Sequence, residues 1–215
     1  MNILIIALAI LIVMLYFIEI RKTKFTTKKI VAIGMFSGIA FILSMIKFIQ
    51  YPQGGGITLF SMVPVMVVSL LYGKGEGLTA GLIYGALQLL NGAYVVHPVQ
   101  LVLDYILANI VLGFAGSFGR EKKVNVFLGC LMASMLCTAC SVLSGVVFFG
   151  EYAPEGMNVW LYSFLYNFTS IGVEGILCSI LATFMPLSRI AKEARIGNDN
   201  RKINNTSIAC TVEEE

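Results

Sequence analysis

The sequence predicts an all-α integral membrane protein. Of its 215 residues 58% are hydrophobic, before its 21 glycines are counted, and only 13% are charged. Soluble domains have about 45–50% apolar residues, glycine included, and about 25% charged ones. Apolar stretches that can form membrane helices recur along the chain, and basic residues gather in alternate connections. These observations exclude a soluble enzyme and a disordered chain, and a net charge of +3 is too small to indicate a nucleic-acid partner.

Seven apolar segments are predicted to form helices. They cover residues 2–20, 29–49, 57–72, 77–91, 99–118, 124–149 and 160–185. The first segment is followed by basic residues, whereas a cleaved signal peptide has them in front of its apolar run. We therefore expect an extra N-terminal transmembrane helix at 1–20, a six-helix membrane domain at 21–187, and a polar, disordered cytoplasmic tail at 188–215.

The basic residues predict the orientation of the chain in the membrane. Fourteen of the 15 lie in four connections, at residues 21–29, Lys74, residues 120–123 and residues 189–202. Because basic connections stay on the cytoplasmic side, these four are predicted to lie inside, with Lys47 as the exception. The C-terminus is then cytoplasmic and the extreme N-terminus lies outside. The other outer segments are residues 50–56, 92–98 and 150–159.

The cysteines predict no metal site. Cys137 and Cys140 are three residues apart and could share a helix face. No histidine or further cysteine lies near them in sequence to complete a ligand set. Thiols in apolar stretches behave as small hydrophobic groups, so we expect no bound metal.

Small residues predict where helices approach one another or a partner. In lipid, helices associate through glycine, alanine and serine because these residues let backbones come close. The ridge formed by Gly77, Gly81 and Gly85 is predicted to pack inside the bundle. For Gly34 and Gly38, core packing and a face for a partner both remain open.

Two acidic residues lie clearly inside a predicted span, away from its ends: Asp104 and Glu174. A carboxylate at membrane depth is costly unless it is paired or faces a cavity, so each indicates a functional site unless buried hydrogen bonds hold it. Glu174 follows Asn167 by seven residues and shares its helix face, and both interpretations stay open for it. Asp104 lies near the outer end of its span between Tyr94 and Tyr105, which favours a functional role.

The outer ends of three spans predict a ligand pocket. Residues 51–56 read YPQGGG, which is too rich in glycine for a helix and can bring backbone close to a ligand. Residues 150–160 lead into Tyr162 and Asn167. With Asp104, these groups suit a small organic cation that also forms hydrogen bonds.

Four strings of residues, in this order, carry a family resemblance: YPQGGGITL, MVPVMVVSL, GLTAGLIYGALQLLNGAYVVHPVQLVLDY and SGVVFFGEYAPEGMNVWLYSFLYN. Over residues 29–185 the chain resembles the thiamin-specific substrate-binding subunit, or S-component, of energy-coupling factor (ECF) vitamin transporters. The resemblance implies a six-helix core in a prokaryotic plasma membrane that captures thiamin from outside and performs no chemistry. It also implies three partner subunits, a membrane coupling subunit and two that hydrolyse ATP, with no cofactor on this chain.

The resemblance also implies the site residues. Positions that line the vitamin pocket in the family are matched here by Tyr94, Tyr105, Gly145, Tyr162 and Asn167. Four positions differ from residues found in family members. Asp104 is found in place of Glu, Phe149 in place of a stacking Trp, Ser141 in place of His, and Cys137 in place of Lys. The family docks on its coupling subunit through two alanines, whose positions correspond here to Gly34 and Gly38.

Two alternatives remain at this stage. The same scaffold could bind a thiamin precursor, such as the hydroxymethylpyrimidine half, or another small vitamin. A membrane-embedded enzyme could use Asp104 and Glu174 as an acid and base, but the sequence has no nucleophile motif, metal set or Walker phosphate loop to support it. Without a Walker loop, any ATP dependence must come from partners.

Overall fold

The computed structural model describes residues 2–51, 55–187 and 189–192, with side chains from residue 9 onward. The chain divides into two compact units, Met1–Phe184 and Met185–Glu215. Among the described residues, the first unit contains helices α1 (Asn2–Lys22), α2 (Thr27–Met45), α3 (Met62–Tyr72), α4 (Lys74–Gln88), α5 (Pro98–Phe118), α6 (Lys123–Phe148) and α7 (Val159–Phe184), and strands β1 (Lys47–Gln50) and β2 (Gly56–Thr58).

In the part of the chain whose side chains are described, four helices are long and apolar enough to cross a membrane: α2, α5, α6 and α7. Helix α3 is apolar but has only 11 residues, and α4 has 15. At 1.5 Å per residue they are shorter than the hydrocarbon core, which is about 30 Å thick. The mostly helical fold and its apolar helices agree with the predicted class, while the number of membrane crossings stays a prediction.

A β-hairpin replaces the predicted ends of two helices. Strands β1 and β2 are antiparallel, with Ile49 opposite Ile57 and Gln50 opposite Gly56. The predicted helices at 29–49 and 57–72 were therefore too long, because α2 ends at Met45 and α3 begins at Met62. Apolar strand residues had extended the hydropathy signal, which does not distinguish a short strand from a helix.

A single residue, Gly73, connects α3 to α4. Its φ of 126° is a conformation that glycine adopts without the clash of a side chain. The helix predicted at 77–91 therefore begins earlier, at Lys74, and Glu76 lies in its first turn with only 3% of its surface exposed. This corrects the sequence-based count of two acids within the spans. Lys29 of α2 lies 2.5 Å from the Glu76 carboxylate and compensates its charge.

Two glycines of the predicted ridge, Gly81 and Gly85, bring α4 against α5, while Gly77 lies against Ser69 of α3. A Cβ atom at Gly81 would collide with the carbonyl of Asn109, and one at Gly85 with the carbonyl of Tyr105. Gly113 of α5 similarly meets the backbone of Leu78 on α4. The two helices therefore touch backbone to backbone, the packing expected of small residues in a membrane bundle.

Helix α1 packs on α4 and on the first half of α5. Lys74 lies 3.3 Å from Glu19, and Gly75 lies directly against the side chain of Thr23. The predicted N-terminal helix is thus a helix attached to the flank of the bundle. That it crosses the membrane with its N-terminus outside stays a prediction.

Helices α5 and α7 begin with caps and contain π-helical turns. His97 Nδ1 accepts a hydrogen bond from the Val99 amide at 3.1 Å, and Asn158 accepts one from the Trp160 amide at 2.8 Å. Each helix then contains a π segment, Val102–Leu107 in α5 and Phe168–Gly172 in α7. Such wider turns are frequent at functional sites.

The described part of the second unit comprises residues 185–187 and 189–192. Its backbone turns so that the amides of Arg189 and Ile190 donate to the Pro186 carbonyl, at 3.0 and 3.1 Å. Residues 189–192 are helical, although the sequence predicted a disordered tail from residue 188. The remainder of that predicted tail lies outside the described residues.

Candidate functional site

A cavity of about 260 Å³ lies between the hairpin and helices α4 to α7. All eight residues that the sequence analysis assigned to ligand binding line it: Tyr94, Asp104, Tyr105, Ser141, Gly145, Phe149, Tyr162 and Asn167. Cys137 and Glu174 line the same cavity. Residues distant in sequence are thus brought to one place, and their contact with a ligand stays a prediction.

The Asp104 carboxylate is held on one side only. Its Oδ2 atom accepts hydrogen bonds from Gln100 Nε2 at 2.8 Å and from Ser144 Oγ at 2.9 Å. Among the described residues, none donates to the other oxygen, Oδ1. No basic residue of that part of the chain forms an ion pair with Asp104, so the carboxylate presents an acceptor to the cavity.

Aromatic residues form part of the cavity lining. Phe149 lies between Tyr94 and Tyr152, with ring centroids 6.1 Å from each. The hydroxyls of Tyr94 and Tyr152 are 2.9 Å apart, and this hydrogen bond raises the pKa of the Tyr152 phenol. The Tyr105 hydroxyl accepts from the Tyr94 amide at 3.0 Å. A ring wall beside a carboxylate is suited to an organic cation.

Polar residues of helices α6 and α7 form another part of the cavity lining. Asn167 Nδ2 donates to the Ser163 carbonyl at 2.9 Å and to the Ser141 carbonyl at 3.3 Å. Gly145 permits this close approach, because a Cβ atom there would collide with the Ser163 hydroxyl. Within the described chain the Ser141 hydroxyl has no hydrogen-bond partner. Tyr162, one turn before Asn167, completes this part of the lining.

Glu174 is a structural anchor for the hairpin. Its Oε2 atom accepts from the Thr58 amide at 2.8 Å, and Oε1 accepts from the hydroxyls of Thr58 and Ser61 at 2.5 and 3.0 Å. The Ser61 amide, at the start of α3, donates to Oε1 at 3.1 Å. Both oxygens are therefore satisfied. Of the two interpretations of Glu174, the geometry favours a carboxylate held by buried hydrogen bonds.

Several polar residues of the cavity were not predicted from the sequence. Gln88 donates to the Tyr84 hydroxyl at 2.6 Å and accepts from Asn109 at 3.0 Å, which links α4 to α5. Gln100, which is 2% exposed, lies one turn before Asp104 and was not among the predicted site residues. Counting charges misses uncharged amides, and a search for amides within apolar spans could have found all three.

Gly34 and Gly38 do not lie in the cavity. Both are on α2, and a Cβ atom built on either would have no heavy atom within 4 Å. Their face of α2 therefore has room for larger side chains. This open space does not fit the interpretation that the two glycines pack within the bundle. The other interpretation, that they form a face for a partner subunit, remains as a proposal.

Comparisons with known proteins place the chain in a family. The sequence model of the family described as Thiamine transporter protein (Thia_YuaJ) matches residues 30–193. The chain is 35% identical over 181 residues to the Thiamine transporter ThiT of Bacillus subtilis, covering 76% of this chain and 94% of that protein. It is 29% identical over 156 residues to the Thiamine transporter ThiT of Lacticaseibacillus paracasei, covering 63% and 78%.

A more distant relative and a solved structure extend the comparison. The Riboflavin transporter FmnP of Bacillus subtilis is 25% identical over 167 residues, covering 76% of this chain and 83% of that protein. A structure described as ThiT from Listeria monocytogenes superposes with a TM-score of 0.63 and 26% identity, covering 74% of this chain and 94% of that one. These relatives are transporters, which are not enzymes. Because the family match spans most of its length, the chain belongs to the thiamine transporter family of bacterial membrane proteins.

Proposed function

We propose that this chain captures thiamin from outside the cell as the substrate-binding S-component of an ECF transporter. The observation that carries the proposal is the Asp104 carboxylate, whose Oδ1 atom is left for a ligand in a cavity with aromatic walls. Two relatives are named thiamine transporters, which supports thiamin as the ligand.

Thiamin matches the chemistry of the cavity in two parts. Its thiazolium ring is a permanent cation, which suits Asp104 and the rings of Tyr94 and Phe149. Its aminopyrimidine ring has hydrogen-bond donors and acceptors, which suit Ser141 and Asn167 of the same lining. A ligand that lacked either half would leave one of these two groups of residues unused, so the complete vitamin fits better than a precursor.

Partner subunits complete the proposed transporter. We assign ATP hydrolysis to two of them and expect no cofactor on this chain. A membrane coupling subunit would dock on α2, where Gly34 and Gly38 leave room for close backbone contact. The cavity would then open outward, with the C-terminus in the cytoplasm, as the basic connections predict.

Calorimetry of the purified full-length chain tests this function. We expect tight binding of thiamin, much weaker binding of its separate pyrimidine and thiazolium halves, and no binding of riboflavin. Riboflavin is the appropriate control because a riboflavin transporter is among the relatives. Tighter binding of one half than of thiamin would favour a precursor transporter, and binding of riboflavin alone would overturn the proposal.

A further inference from the structure

Gln100 lies at the junction between the Asp104 carboxylate and the loop that carries Tyr94. Gln100 is 2% exposed, and both polar atoms of its side chain are hydrogen bonded. The Nε2 atom donates to Asp104 Oδ2 at 2.8 Å and to the Tyr94 carbonyl at 3.2 Å. The Oε1 atom accepts from the Val96 amide at 3.2 Å. One buried amide therefore connects a helix side chain to the backbone of a neighbouring loop.

The first consequence concerns the charge. A carboxylate on a single side chain can rotate, and either oxygen could then face the cavity. The bonds from Gln100 and Ser144 both fall on Oδ2, which fixes the rotation and leaves Oδ1 without a protein donor in the described chain. A charge held in place before binding loses less conformational entropy when the ligand arrives.

The second consequence concerns the aromatic wall. The Tyr94 backbone is held at its amide by the Tyr105 hydroxyl and at its carbonyl by Gln100. This fixes the start of the loop at 94–97 beside Phe149, whose ring lies 6.1 Å from that of Tyr94. Gln100 therefore acts on both the anion and a ring of the cavity.

We propose that Gln100 is a positioning residue for the ligand site, which directs Asp104 Oδ1 into the cavity and fixes the loop under Tyr94. The inference takes thiamin as the ligand from the proposed function. The effect of Gln100 on the orientation of Asp104 and on the loop does not depend on that function. Gln100 is placed to act through Asp104 and Tyr94, and it needs no contact with thiamin.

A double-mutant cycle tests the action on Asp104. In the full-length chain, Gln100→Met should weaken thiamin binding about tenfold, since a hydrogen bond to a charged group is lost. In an Asp104→Asn background the same change should cost only about twofold, because no charge remains to be oriented. The matched control is Gln88→Met, another cavity glutamine, which does not touch Asp104 and should cost the same factor in both backgrounds.

A second variant and a measurement without ligand separate the two actions. Gln100→Glu keeps the acceptor for the Val96 amide but loses the donor to Asp104 and to the Tyr94 carbonyl. It should weaken thiamin binding at least tenfold while hydrogen exchange of the Val96 amide stays as in the parent. Gln100→Met should accelerate that exchange, and Gln88→Met should not.

Failure of the Gln100 proposal and failure of the proposed thiamin binding give different results in these experiments. If the parent binds no thiamin, the proposed function fails, while the exchange at residues 94–97 still tests the role of Gln100. If the parent binds thiamin but Gln100→Met costs the same factor in both backgrounds, the action through Asp104 is overturned. Unchanged exchange in Gln100→Met would overturn the action on the loop.

Discussion

The hydroxyl of Ser144 lies 2.9 Å from Oδ2 of Asp104 and joins helix α6 to the charged turn of α5. This contact couples the helix that carries Asp104 and Tyr105 to the helix that carries Ser141 and Gly145 of the cavity lining. It also explains how an aspartate at membrane depth is tolerated without a basic partner, since two neutral donors satisfy one oxygen.

Glu174→Gln should destabilise the fold more than it affects the ligand. Glutamine has an NH2 group in place of one carboxylate oxygen, and this group would face the hydrogen-bond donors of Thr58 or Ser61. We therefore expect a loss of about 1–3 kcal/mol in the free energy of unfolding. Thermal unfolding in detergent measures this loss. Ser179→Ala is the matched control on α7, because its hydroxyl bonds only within the helix, to the Gly175 carbonyl. Equal losses in the two variants would contradict the anchoring role.

The ion pair between Lys29 and Glu76 should contribute more to the stability of the fold than an exposed ion pair does. Glu76 has 4% of its side chain exposed and Lys29 has 28%, so water screens the pair only from one side. We expect Glu76→Gln to cost about 1–3 kcal/mol and the further change Lys29→Met to restore part of it. Glu19→Gln, in the more exposed pair with Lys74, should cost under about 1 kcal/mol. Additive costs at Lys29 and Glu76 would contradict a direct interaction.

Gly34→Leu combined with Gly38→Leu should separate binding from transport. Both positions have room for a side chain, so the protein should fold and bind thiamin as the parent does. Uptake by cells that contain the partner subunits should be abolished, because leucines keep the coupling subunit from close contact. Gly81→Leu is the contrasting variant, since its side chain would collide with α5 and should reduce folding. Equal loss of binding and uptake in the α2 variant would instead indicate packing within the bundle.

Phe149→Trp should strengthen thiamin binding about two- to tenfold. Tryptophan offers a cation the most favourable ring face, and Phe149 lies on the cavity wall beside Tyr94. Phe148→Trp is the matched control, because the ring of Phe148 stacks on His97 instead of lining the cavity. Calorimetry compares the affinities. If both variants, or neither, bound thiamin more tightly than the parent, the cation would not lie against Phe149.

The sequence predicted the long helices well and the connections poorly. The predicted spans at 99–118, 124–149 and 160–185 differ by at most one residue at each end from α5, α6 and α7. Long, continuous apolar segments leave the backbone no other way to satisfy its hydrogen bonds in lipid. The region from Met45 to Met62 was wrong, because a strand of four residues has no hydropathy signal of its own.

The site was predictable where a residue itself is unusual in a membrane. Asp104 stood out as a charge, and the motif residues stood out by resemblance. The hydrogen-bond partners of these residues could not be found in the same way. Ser144, for example, is 40 residues from Asp104 in the sequence and meets it only in the folded chain. Glu76 was missed for a related reason, since the one-residue turn at Gly73 cannot be distinguished from a longer loop by composition.

The most direct test of the account is calorimetric titration of thiamin into the full-length parent, Asp104→Asn and Glu174→Gln. Asp104→Asn keeps the shape of the side chain and removes the charge, so binding should weaken about 100-fold, whereas Glu174→Gln should weaken it about tenfold at most. Thermal unfolding of each variant controls for folding. Parent-like affinity in a folded Asp104→Asn variant would contradict the claim that this carboxylate holds the cation.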